Sequence, residues 1–266
     1  MNRIDKLYST IIPQGKKAFN AYVCAGDPDL ETTERLIVEF ARRGVDVIEL
    51  GVPFSDPVAD GPVIQQASQR ALKGGTNLAA ILAMVADLRK SCEIPIALMS
   101  YFNPIHRYGI EKLIDDAVGA GADGLIIPDL CPEEAGGLIA HARERDLKTI
   151  FFIAPTTPPE RVKLINEQST GFIYCVSVTG ITGARKELPP DLRDNLKKIR
   201  EATDQPLVVG FGVSNPDTVR MMCEVADGVI VGSAICRKIE EHLDAPRDEL
   251  IEQVASFAES LAAAAR

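Results

Sequence analysis

The chain has 266 residues, 46% hydrophobic and 25% charged, with a formal net charge of −9. That supplies enough apolar material for a sizeable core, and the acidic balance argues against a nucleic-acid surface. No apolar run approaches the ~20 residues of a membrane span and the first residues lack a signal-peptide stretch, so a cytoplasmic chain with no membrane partner is expected.

Ile4, Leu7, Tyr8, Ile11 and Ile12 recur at helical spacing until Pro13, which predicts an amphipathic N-terminal helix. AFNAYVCAG (18–26) reads as the first strand. Asp29 then caps a helix that sets Leu30, Leu36, Ile37 and Phe40 on one side and stops at Gly44. VDVIEL (45–50) is the second strand. A loop rich in glycine and proline follows, carrying Asp56 and Asp60; a helix begins near Pro62 and another spans Asn77–Lys90. The later strands are expected at 94–101, 124–129, 147–155, 171–178, 205–213 and 226–235. Helical stretches lie between them, and an amphipathic helix from about Arg247 to Ala264 ends the chain.

Strands that are apolar on both faces belong in a parallel sheet covered by helices. About eight such βα units predict an α/β fold, a (β/α)8 TIM barrel with an extra N-terminal helix. An open doubly wound sheet is the alternative. No linker or composition break interrupts the chain, so residues 1–266 are expected to form a single barrel domain. The six cysteines are scattered without a CxxC pair, which predicts buried free thiols and no metal site.

In such a barrel the site opens at the C-terminal ends of the strands. Glu49 is the outlier there, a single acid among Val45, Val47, Ile48 and Leu50. Burial would raise its pKa toward neutrality and suit it to proton transfer. Strand alternation would point it along the barrel axis if Ile48 and Leu50 face the helices. Asp60 lies 11 positions later and Asp56 competes with it, although either is equally a turn or capping residue. Three glycine loops at consecutive strand ends, TGITGAR (179–185), GFGVSNP (210–216) and VGSAI (231–235), predict a phosphate cradle of backbone amides. His106, His141 and His242 do not converge with the acids and read as surface residues.

ELGVPFSDPVADGPVIQQA (49–67) resembles the signature of the tryptophan synthase alpha subunit family, and the likeness extends through LMSYFNP, LIIPDLCPEEA, VTGITGAR, GFGVSNP and VGSAI. The resemblance implies a lyase that cleaves indole-3-glycerol phosphate to indole and glyceraldehyde 3-phosphate, in tryptophan biosynthesis. It implies proton transfer by Glu49 and charge stabilisation at the indole nitrogen by Asp60. Gly183, Gly212, Gly232 and Ser233 would hold the phosphate. Tyr22, Ile64, Met99, Tyr101, Leu125, Asp129, Tyr174 and Phe211 would line the indole and glycerol pocket. Thr182 would belong to a loop closing on Asp60, and Pro53 and Asp56 would face a partner. Tyr22 stands where Phe is familiar and Met99 where Leu is familiar. The partner implied is a beta subunit, in an α2β2 complex. No cofactor is implied for this chain, since pyridoxal phosphate belongs to the beta subunit. A sugar-phosphate isomerase or a non-catalytic phosphate-binding barrel would share the glycine loops but has no need of the Glu49–Asp60 pair.

Overall fold

The computed structural model describes residues 1–176, 190–210 and 212–266. Its strands are β1 (Ala18–Cys24), β2 (Val47–Gly51), β3 (Ile96–Met99), β4 (Gly124–Ile126), β5 (Lys148–Ile150), β6 (Phe152–Ile153), β7 (Ile173–Val176), β8 (Leu207–Gly210) and β9 (Gly228–Val231). They form one parallel sheet in the order β5-β4-β3-β2-β1-β9-β8-β7-β6. The two ends of that order, β5 and β6, are separated in the chain only by Phe151, so the sheet closes on itself. The expected fifth strand is therefore two segments: one pairs with β4, the other with β7, and the Phe151 carbonyl between them accepts from the Tyr174 N–H at 3.1 Å.

The pleat sorts the strand residues into two cores. Phe19, Ile48, Leu50, Leu98, Leu125 and Val209 pack outward against the helices. Ala18, Tyr22, Ala97, Ile126, Ile150 and Ile230 pack inward and fill the barrel. The helix Arg3–Ile11 closes the bottom, where Ile4, Tyr8 and Ile11 join the inner cluster. Burying such side chains contributes about 1.5–3 kcal/mol each. Asn2 fixes that helix: its Oδ1 accepts from the Ile4 N–H at 2.9 Å, and its Nδ2 donates to the carbonyls of Asp123 (2.9 Å) and Asp146 (2.8 Å). Gly124 and Gly171 leave room for Ile4, whose methyls would lie 3.3 and 3.2 Å from a side-chain carbon at those positions.

Two helices exceed the sequence expectation. Phe102–Tyr108 follows β3, and Ser233–Glu240 occupies positions where the last strand was expected to continue to Ile235. β9 ends at Val231, and Ile235 and Ile239 then fall at helical spacing and are buried. The acceptor expected of Asp29 is present, its Oδ1 taking the Thr32 N–H at 2.7 Å. Five cysteines are buried, Cys131 is half-buried, and all six are free. Among the described residues no single helix is long and apolar enough to cross a membrane.

Candidate active site

Glu49 is set by β2. Its strand neighbours Ile48 and Leu50 belong to the outer core, so alternation turns Glu49 into the barrel. Parallel pairing places it between Tyr22 of β1 and Ala97 of β3. It is 2% exposed, and its Oε2 has no hydrogen-bond partner among the described residues. An orphaned buried carboxylate oxygen is costly in a folded protein. Burial, and after it the charge of Asp60, pushes the Glu49 carboxyl up to about 8.

Asp60 arrives from the loop. Its N–H donates to the Pro57 carbonyl at 3.2 Å, and its own carbonyl accepts from Gln65 Nε2 at 2.8 Å. These bonds fold the loop back just before the helix Pro62–Lys73, which tolerates proline in its first turn. Burial raises the Asp60 carboxyl to about 6, with the Tyr101 hydroxyl beside it offsetting part of the rise. At pH 7 Glu49 is thus mainly protonated and Asp60 mainly ionised. Asp56, the rival loop acid, is exposed and accepts from its neighbour Ser55 at 2.5 Å, away from the cavity wall. Of the two positions expected at a partner surface, Asp56 is exposed and Pro53 is buried.

Both acids line a cavity of about 320 Å³ together with Tyr22, Ile64, Met99 and Tyr174. That volume suits a small ligand. The same cavity is lined by Gly212, Val213, Gly232 and Ser233. Gly212 has φ +78°, a conformation that favours glycine, and Gly232 is the N-cap of the helix Ser233–Glu240. Amides at such a helix start, with its dipole, suit an anion. Tyr22, paired with Glu49, also packs beside Gly232 and Gly51. A side-chain carbon on Gly232 would stand 3.3 Å from the Tyr22 Cβ, and one on Gly51 would stand 2.3 Å from the Tyr22 hydroxyl. Gly51 is what makes room for tyrosine where phenylalanine is familiar.

The remaining expected residues are placed differently, and Leu125 is a correction. Leu125 faces the helices in the outer core, and the adjacent Ile126 turns into the barrel in its place. Tyr101 and Asp129 are not in the cavity wall among the described residues. The Tyr101 hydroxyl accepts from the Ala59 N–H at 3.0 Å and so holds the Asp60 loop, while Asp129 Oδ1 accepts from the Phe102 N–H at 2.8 Å. Thr182, Gly183 and Phe211 lie outside the described residues. The sequence reading missed Ile230 and Arg237, which also line the cavity. Ile230 was available from alternation along β9, two positions before Gly232. Arg237 escapes because the start of the helix that carries it, Ser233–Ile235, extends the apolar run expected as the last strand.

A sequence model of the family described as "Tryptophan synthase alpha chain" matches residues 8–266. The tryptophan synthase alpha chain of Geotalea daltonii is 49% identical over 241 residues, covering 91% of each chain. That of Geotalea uraniireducens is 48% identical over 263 residues, 99% of this chain and 97% of the relative. Among solved structures, tryptophan synthase subunit alpha from Legionella pneumophila superposes with a TM-score of 0.92 at 39% identity, over 99% of this chain and 98% of that one. With a match that spans nearly every residue and a barrel that superposes along its whole length, this chain belongs to the tryptophan synthase alpha chain family.

Proposed function

We propose that this chain cleaves indole-3-glycerol phosphate to indole and glyceraldehyde 3-phosphate, and that Glu49 and Asp60 carry the reaction in different protonation states. One observation carries the reading: two buried acids line one cavity, and burial pushes Glu49 up to about 8 but Asp60 only to about 6. Breaking the carbon–carbon bond requires a proton on the indole carbon that leaves and removal of a proton from the hydroxyl that becomes the aldehyde. Protonated Glu49 donates the first proton. As the carboxylate it then accepts the hydroxyl proton while the bond breaks, and it ends protonated again. The positive charge that develops on the ring nitrogen is stabilised by ionised Asp60.

Tyr22, Tyr174, Met99 and Ile64 supply the flat apolar wall that an indole needs. The phosphate goes to the amides around Gly212 and Gly232. Gly232→Leu should therefore raise the Kd for glycerol 3-phosphate by about tenfold or more, because its side chain would enter the space beside Tyr22 and cover those amides. An unchanged Kd by calorimetry would place the phosphate elsewhere.

The complex with a beta subunit, α2β2, is part of the same proposal, and pyridoxal phosphate is assigned to that partner. The exposed loop around Asp56 and Val58, which is 84% exposed, is adjacent to Asp60 in sequence and available to a partner. Titrating the beta subunit should raise the rate of indole formation if contact there helps to fix Asp60. A rate independent of saturating beta subunit would remove that coupling. The proposal as a whole is tested by indole release from the purified chain.

A further inference from the structure

Building on the phosphate reading above, we propose that Arg237 is a cationic anchor for the phosphate group, completing a cradle that the backbone amides begin. Among the described residues of the cavity wall, Arg237 is the sole lysine or arginine, while Glu49 and Asp60 supply negative charge. A dianionic substrate bound in this cavity of an acidic chain therefore has one positive side chain among its described walls.

Helix geometry aims that charge. Ser233 and Arg237 are four positions apart in the helix Ser233–Glu240, so they share one face. Side chains on a helix lean toward its N-terminus. The long Arg237 side chain thus leans back over the first turn of the helix, whose Gly232 and Ser233 line the same cavity.

The acids one turn further along the helix are already engaged. Glu240 accepts from Arg70 at 3.1 Å, and Glu241 pairs with Lys238 at 3.2 Å. Among the described residues Arg237 has no carboxylate partner. It is also exposed, so its substitution leaves the core untouched. An arginine guanidinium offers paired N–H donors that match phosphate oxygens, and such charge-assisted bonds are among the stronger ones. A helix-surface arginine of no special role would be silent toward ligand.

The test is calorimetric titration of glycerol 3-phosphate, with glycerol as the phosphate-free control, into wild type, Arg237→Gln and Arg237→Lys. It is run beside steady-state cleavage of indole-3-glycerol phosphate. Arg237→Gln should weaken glycerol 3-phosphate about tenfold and raise KM similarly, with kcat within about twofold, because the phosphate contact is common to ground and transition states. Arg237→Lys should recover most of the affinity. The rise of wild-type KM with salt should flatten in Arg237→Gln. If wild type binds glycerol 3-phosphate but Arg237→Gln binds it within twofold, the Arg237 assignment is overturned and the amide cradle stands. If wild type itself binds glycerol 3-phosphate no better than glycerol, the phosphate reading fails and takes Arg237 with it.

Discussion

Glu49→Gln should lower the kcat for indole release by about 10³-fold or more while the barrel stays folded, since an amide keeps the shape but can neither give nor take the proton. The same variant should be more stable than wild type at alkaline pH. The Glu49 carboxyl titrates near 8 in the folded chain against 4.5 as the ordinary value. Between those two pH values the unfolded chain loses the proton and the folded chain keeps it, so the Glu49 contribution to stability is full below about 4.5 and is lost as pH rises toward 8. Glutamine has no such titration. The variant should gain roughly 2–4 kcal/mol over wild type above pH 8 and little near pH 4. Urea denaturation at both pH values measures this. An alkaline variant no more stable than wild type would show that Glu49 is not held in a desolvating site. Near-normal turnover in Glu49→Gln would rule out proton transfer by this acid.

Asp60→Asn should reduce kcat by about 10²–10³-fold, because it removes a fixed charge next to the ring nitrogen while keeping the loop's backbone bonds. Asp56→Asn in the same assay, without the partner, should stay within about twofold of wild type, since Asp56 is exposed and outside the cavity wall. Equal losses in the two variants would mean that the loop, and not the Asp60 carboxylate, is what matters. The pair also predicts a bell-shaped pH dependence of kcat/KM. The acidic limb should lie near 6, where Asp60 must ionise, and the alkaline limb near 8, where Glu49 loses the proton it donates. In Asp60→Asn the acidic limb should disappear and the alkaline limb should move down, because the Asp60 charge that helps keep Glu49 protonated is gone.

Much of this site is legible in the amino-acid sequence. Glu49 stands out because one acid interrupts an apolar strand, and the same alternation that makes Ile48 and Leu50 outward-facing forces it inward. The choice between Asp56 and Asp60 is not legible there. It depends on how a loop folds back, and the Pro57, Gln65 and Tyr101 contacts that decide it come from residues with no periodic pattern. Leu125, taken from the resemblance, is misplaced by one position, and β4, apolar on both faces, carries no pattern to choose between it and Ile126. The helix at Ser233 escapes for a related reason: Ala234 and Ile235 extend an apolar run that reads as strand until Gly232 is seen to end it. That single misreading hides Arg237. The break at Phe151 is a matter of ring closure, which no local signal encodes.

The most direct measurement of the central claim is indole formation by the purified chain mixed with indole-3-glycerol phosphate, with the beta subunit present and absent, for wild type and Glu49→Gln together. Wild type is expected to release indole and glyceraldehyde 3-phosphate in equal amounts, and Glu49→Gln to release almost none. Absence of indole from wild type with saturating beta subunit, or equal indole from both chains, would contradict the account.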